Sequence, residues 1–289
     1  MAPRLKILFA GMVGGFLGQI PSFGGTGALN AVAEVAAGRA VKSVRLEWMP
    51  DLSLIWCPPG TFRMGSPKGE LGRFANEAEA EVVLPNGFFL QSTELTQEQW
   101  RVIRDKNPSA FVHPQNPVDT VSWEDAAQFC KELTEHARAA GEIPEGWRFD
   151  LPTEAQWEYA CRAGSATALN SGKNLQAKTG EDPGLDEVAW YEANSGEATH
   201  PVARKKPNAW GFYDMHGNLW EWCRDWYGFK LEGGRDPQGA REGAARVLRG
   251  GSWYIGYPAV CRSAYRTAYG PERRIPHAGF RMALVSEPK

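Results

Sequence analysis

Pro207-Asn208-Ala209-Trp210-Gly211-Phe212-Tyr213-Asp214-Met215-His216-Gly217-Asn218-Leu219-Trp220-Glu221-Trp222-Cys223 is the stretch whose reading decides the fold. Aromatic side chains alternate with Gly and Asn turn residues, and two carboxylates flank the Gly217-Asn218 pair. Rings of this size need a core, while Gly and Asn bend the backbone that carries them. Three downstream pieces have the same character: Arg249-Gly250-Gly251-Ser252-Trp253, Cys261-Arg262-Ser263-Ala264-Tyr265-Arg266 and Gly279-Phe280-Arg281.

The whole chain matches this local picture. Among 289 residues there are 12 Trp, 32 Gly and 20 Pro, so turns and aromatic packing rather than long helices carry the fold. Net charge is −2 with no long run of one sign, which argues against a nucleic-acid partner. No repeat is present.

Local signals place several elements. Ile55 to Ser66 reads as strand, turn, strand around Pro59-Gly60, and Gly87 to Leu95 as a further strand. Three capping boxes announce helices: Thr96 with Gln99, Ser122 with Asp125, and Thr153 with Gln156. The second helix carries Ala126, Phe129, Cys130, Leu133 and Ala137 at helical spacing, and the third buries some combination of Trp157, Ala160 and Cys161. Beyond Gly164 the sequence is almost all turn and short strand. The expected class is α+β: one irregular domain with few helices, short strands and many loops.

Residues 1–45 read as a leader and linker, and residues 46–289 as the folded domain. Arg4 and Lys6 precede the apolar stretch Ile7 to Gly18, and Ala31-Val32-Ala33 suits a signal peptidase. That stretch is too short to span a bilayer as a helix. The expectation is export to a periplasmic or extracellular location, with no integral membrane span once the leader is removed. The alternative is a glycine-rich leader on a cytosolic protein.

The motifs in combination resemble the formylglycine-generating enzyme family, the sulfatase-modifying factors. The resemblance runs from about Leu54 to Val285. It includes Phe62-Arg63-Met64-Gly65-Ser66, Asn107-Pro108-Ser109, Val121-Ser122-Trp123-Glu124-Asp125-Ala126 and Leu151-Pro152-Thr153-Glu154-Ala155-Gln156-Trp157-Glu158-Tyr159, besides the C-terminal blocks. It implies a variant of the C-type-lectin-like architecture. It also implies a calcium site at Asp214, Gly217, Leu219 and Glu221, using side chains at the outer two positions and carbonyls at the inner two. Hard oxygen donors of that kind suit calcium. Read from spacing alone, Asp214 caps a turn and Glu221 pairs with an arginine such as Arg224 or Arg249. A second calcium site of some relatives, beginning at the position of Asn194, is not carried over because the segment Ser195 to Pro201 is short.

The resemblance implies a disulfide between Cys161 and Cys261, closing a loop of about 100 residues and worth about 4–5 kcal/mol in the chain-entropy model. A second family bridge would join Cys130 to the position held here by Met282, so Cys130 is expected to be a buried thiol. No Cys-x-x-Cys pair occurs, and the partners of Cys57 and Cys223 are open.

The same resemblance places the family's copper-binding cysteine pair at Ile255 and Val260, neither of which can ligate Cu(I). Ser252 and Trp220 match cleft-lining residues, with a tight turn and a core indole as their structural alternatives. An iron site would need two histidines and a carboxylate. Of His113, His136, His200, His216 and His277 only His216 lies in the motif region. Copper and iron are therefore unsupported, and His216, Ser252 and Trp220 are the cleft candidates. Arg249 and Arg262 with Trp253 are candidates for gripping a carboxylate or peptide backbone. Arg266 and Arg281 are expected to cross-link loops instead. No Gly-x-Ser-x-Gly, no Cys/His pair at a helix start and no phosphate-binding glycine loop is present. Two functional expectations follow. One is an exported, oxidoreductase-type family member that acts on a protein, peptide or small molecule and does not make formylglycine by the copper–cysteine route. The other is a non-catalytic, calcium-stabilised peptide- or glycan-binding module.

Overall fold

In a computed structural model, residues 43–46 and 48–287 are described; of the leader and linker read at 1–45, residues 1–42 lie outside them, while Ser43–Arg45 form a strand of the folded domain. All three capping boxes form. Helix α1 is Gln97–Ile103, α2 is Trp123–Ala139 and α3 is Glu154–Arg162, each with reciprocal side-chain and backbone bonds at its N-terminus. Such a cap stabilises by about 1 kcal/mol. On α2 the buried residues are those of the apolar spacing, with Thr134 added, its hydroxyl donating to the Cys130 carbonyl at 2.8 Å. Helix α3 is buried on nearly every side, with Trp157, Ala160 and Cys161 all inaccessible, and it stops at Ala163, a left-handed residue with φ 46°. Two single-turn helices follow, α4 at Pro183–Asp186 and α5 at Glu192–Ser195.

The main antiparallel sheet places Ser43–Arg45, Ser53–Cys57, Phe88–Gln91, Ala283–Ser286 and Trp147–Asp150 side by side in that order. A strand from the C-terminal end thus sits between strands that precede it by more than 130 residues. The strand after Pro59 does not pair with the strand before it. Gly60–Met64 pairs instead with Ala80–Leu84, in a three-stranded sheet completed by Gly234–Arg235. With no N–H to donate, Pro58 and Pro59 suit a crossing between sheets better than a ladder.

A four-stranded sheet, ordered Thr267–Tyr269, Arg246–Arg249, Trp220–Trp226 and Ala278–Gly279, gathers the C-terminal motifs. Glu221 stands opposite Arg249 on one side and Gly279 on the other. Ala189–Trp190 pairs with His216–Gly217 alongside. Two large apolar clusters fill the space between elements. One is built on α2, Trp220, Trp222 and Phe280, and the other on α3, Phe88, Phe212 and Met215.

All five cysteines are buried free thiols. Cys130 is as expected. The Cys161–Cys261 bridge is not formed: the Cys161 sulfur lies 3.5 Å from Ser263 Oγ, and burial pushes both thiols up to about 12.

Candidate functional site

The motif segment is held by four residues with positive φ, Gly211 (φ 97°), Asp214 (φ 54°), Gly217 (φ 77°) and Asn218 (φ 58°). At Gly217 a Cβ would stand 2.1 Å from the Trp190 carbonyl oxygen, so only glycine fits there. Asn218 tolerates this backbone and is bonded on both sides. Its amide donates to Glu94 Oε2 at 3.0 Å, and its oxygen accepts from His200 N at 3.0 Å.

Glu221 is fully buried and is paired with Arg281, not with Arg224 or Arg249. Arg281 Nε and Nη2 reach its two oxygens at 2.7 and 2.8 Å, and the Trp157 indole donates to Oε2 at 2.9 Å. Arg281 also bonds the carbonyls of Gln91 and Tyr213, so it cross-links loops as expected and neutralises a carboxylate besides. Glu94, absent from the sequence-based candidates, completes the group. It accepts from Leu219 N at 2.9 Å, and burial, then the charges of Asp214 and Glu221, hold its carboxyl well above the usual range. Burial likewise raises Asp214 to about 6.

A calcium ion at this place fits the residues in part. Asp214 Oδ2 accepts from Ala203 N at 2.7 Å, while Oδ1 is buried without a partner, the kind of oxygen a hard cation completes. Glu221 would have to exchange Arg281 for the ion.

The other arginines are also internal. Arg249 is inaccessible and bonds Glu158, Glu154 at 3.0 Å and the Ser263 carbonyl at 2.6 Å. Arg262 is equally inaccessible and bonds Glu77 at 2.7 and 2.8 Å, Glu70 at 2.6 Å and the Gly72 carbonyl at 2.7 Å. Arg266 binds Glu154 at 2.7 and 2.6 Å. The expectation that Arg249 and Arg262 grip a ligand is therefore corrected. Short strands leave many loop carbonyls and acids inside, and guanidinium forks satisfy several at once.

His216 is closed as well. Its Nε2 accepts from Asn170 N at 3.0 Å, its Nδ1 lies 2.6 Å from the Cys261 carbonyl, and burial lowers it to about 4. Trp220 is a core indole, and Ser252 is buried with Oγ unbonded. Val260 belongs to the same apolar cluster as Trp220, and Ile255 packs against it. The positions that would hold copper are thus occupied by hydrocarbon.

Of the candidates, Trp253 alone reaches an open cavity. It lines a cleft of about 520 Å³ with Tyr254, Ile255 and Tyr257, and with Glu192 and Glu197 from α5 and its end. Tyr254 and Tyr257 are 62% and 61% exposed, unusual for rings in a protein that buries so many. A ladder of rings supports the wall. Phe111 meets Trp253 edge-on at 5.1 Å, Trp253 meets Tyr254 at 5.4 Å, and Tyr254 stacks on His277 at 5.7 Å. The Tyr254-Ile255-Gly256-Tyr257 run after Gly-Gly-Ser-Trp was a legible signal for this wall; nothing near Glu192 was.

Fold and site together define a domain of the sulfatase-modifying-factor type. Residues 47–285 match the sulfatase-modifying factor enzyme 1-like domain, and the chain belongs to that family. It is 35% identical over 195 residues to the formylglycine-generating enzyme of Streptomyces coelicolor, covering 64% of this chain and 57% of that enzyme. It is 31% identical over 208 residues to the chaperone protein LppX of Paenibacillus barcinonensis, covering 57% of this chain and 69% of the relative. Among solved structures, Treponema denticola variable protein 1 superposes with a TM-score of 0.70 at 30% identity, covering 82% of this chain and 95% of that one. The resemblance read from the motifs, and the single irregular α+β domain it implied, are borne out. The chain spans little more than half the length of the formylglycine-generating enzyme it matches.

Proposed function

We propose that this chain is an exported, non-catalytic member of the family that binds a peptide in the cleft walled by Trp253, Tyr254 and Tyr257. The observation that carries this reading is the chemistry at the family's copper positions. Ile255 and Val260 offer no donor atom: Val260 is buried in the same apolar cluster as Trp220, and the half-buried Ile255 packs against that cluster from the cleft wall. The nearest alternatives are spent: His216 has both ring nitrogens bonded, and the Cys161 and Cys261 thiols are held protonated by burial. An open, aromatic-walled cavity with polar groups at its rim is what a binding site needs.

Asp214, with the carbonyls of Gly217 and Leu219, would hold a structural calcium ion. When bound, the ion would supply positive charge beside Asp214 and Glu94 and take no part in chemistry.

The test is a Cu(I) competition titration against a chromogenic chelator, with a formylglycine-generating relative as the positive control. This chain should leave the chelator complex intact. Stoichiometric Cu(I) uptake at high affinity would favour the oxidoreductase reading instead.

A further inference from the structure

We propose that the cavity lined by Arg148, Thr153 and Arg224 is a binding site for free hydrogen phosphate, separate from the Trp253–Tyr257 cleft and independent of the peptide-binding reading. It lies where Trp147–Asp150, Trp220–Trp226 and the start of α3 converge, and its volume is about 80 Å³. A water molecule's share of the liquid is about 30 Å³, so the space suits one tetrahedral oxyanion and nothing much larger.

The walls carry donors that the fold leaves uncommitted. Arg148 Nη2 reaches Asp150 Oδ2 at 2.9 Å, and Arg224 Nη1 reaches the same oxygen only at 3.5 Å. Asp150 Oδ1 accepts from Leu151 N at 2.8 Å, so one carboxylate faces two guanidinium groups and one positive charge is left over. Neither guanidinium makes another hydrogen bond among the described residues, although each side chain is only 29% exposed. Arg249, Arg262, Arg266 and Arg281, by contrast, each bond acids and carbonyls on several sides. The capping box of α3 contributes further donors. Thr153, 2% exposed, accepts from Gln156 N at 3.1 Å and has no acceptor for its own hydroxyl hydrogen among the described residues. Gln156 Oε1 accepts from Thr153 N at 2.9 Å, which leaves the Nε2 amide without a partner. Both residues line the cavity, and the α3 N-terminus adds its partial positive charge there.

Guanidinium forks match the paired oxygens of a phosphate-type anion. One further wall group sets which anion enters. Asp236 lines the same cavity, fixed by its N–H on the Val83 carbonyl at 2.8 Å and by a left-handed backbone, φ 48°. A carboxylate only accepts, so it repels a fully deprotonated oxyanion and accepts from one that keeps a hydrogen. At pH 8 inorganic phosphate keeps one hydrogen, while sulfate and a phosphate monoester keep none. The cavity therefore takes free phosphate in preference to sulfate or to a phosphoryl group carried on an organic molecule.

The experiment is a calorimetric titration of the full chain at pH 8 and constant ionic strength with inorganic phosphate, sulfate or glucose 6-phosphate. Phosphate should bind at one per chain and raise the melting temperature, and the other two should bind about tenfold more weakly. Arg224→Gln and Arg148→Gln should each weaken phosphate about tenfold, while Arg101→Gln, at an exposed arginine elsewhere, leaves it unchanged. Asp236→Asn, which supplies an amide donor, should bring sulfate up to the affinity of phosphate. Thermal melts of each variant without ligand separate lost binding from lost fold. Phosphate binding that is absent, or that survives both arginine substitutions, overturns the site. Sulfate binding as tightly as phosphate to the native chain, with no response to Asp236→Asn, overturns its assignment to hydrogen phosphate.

Discussion

Arg281 grips Glu221 with two hydrogen bonds, 2.7 and 2.8 Å long, where neither residue is exposed to solvent. This pair joins the Trp220–Trp226 strand to the segment that follows Gly279, and Trp157 of α3 leans on the same carboxylate at 2.9 Å. A charge pair in that position matters chiefly when it is broken, because the surviving partner stays buried. Arg281→Met leaves Glu94, Asp214 and Glu221 together without their guanidinium. The substitution should cost about 3–5 kcal/mol in urea unfolding. A loss no larger than that of an exposed arginine would mean the pair is not formed in solution.

Calcium should act through Asp214, whose Oδ1 is the unbonded oxygen of the cluster. The urea midpoint of the native chain is expected to be higher in calcium than in EDTA, by mass action on the folded state. Asp214→Ala also removes the bond from Ala203, so it lowers both midpoints. The decisive quantity is the gap between them, which should close in the variant. A native chain indifferent to calcium would show that Arg281 is the only cation the cluster uses.

Five free thiols can be counted directly. Unfolded in denaturant without reductant, the chain should react with five equivalents of a thiol reagent; folded, it should react slowly, since every thiol is buried. Two fewer in the unfolded chain would restore the Cys161–Cys261 bridge that the family resemblance implied.

Asp225 supplies a pH test. Burial, then the charge of Glu154, raises its carboxyl to about 7, while Oδ2 accepts from Glu154 N at 2.8 Å. A folded-state value above the unfolded one means that the folded chain holds a proton the unfolded chain releases. The associated stability is therefore present at low pH and lost as pH rises through about 7. Asp225→Asn keeps an acceptor oxygen and cannot ionise. Its stability relative to the parent should increase between about pH 4 and about pH 7 and level off above that, and parallel curves would contradict the assignment.

The sequence was most legible where the physics is local. Thr96, Ser122 and Thr153 each set a helix start through a partner three residues away, and all three starts are found. It was least legible where chain reversal decides the neighbour. Pro59-Gly60 marks a change of direction, but nothing in it says that the next strand joins a different sheet. Glu94 meets Leu219 and Asn218 across more than 120 residues, a separation no spacing rule covers. Arg281 rather than Arg249 reaches Glu221 although Arg249 is its cross-strand neighbour, because Arg249 is drawn to Glu154 and Glu158 on α3. Trp253 was singled out, yet the acids opposite it come from a single-turn helix with no periodic signature.

The most direct test of the non-catalytic reading is turnover. The purified chain, supplied with Cu(I), oxygen and reductant, is incubated with a cysteine-containing sulfatase-type peptide beside a formylglycine-generating enzyme, and peptide masses are followed with time. The expected result is an unmodified peptide with this chain and converted peptide with the control, because Ile255 and Val260 provide no thiolate for copper. Catalytic conversion of cysteine to formylglycine by this chain would contradict the reading and place its donor atoms elsewhere.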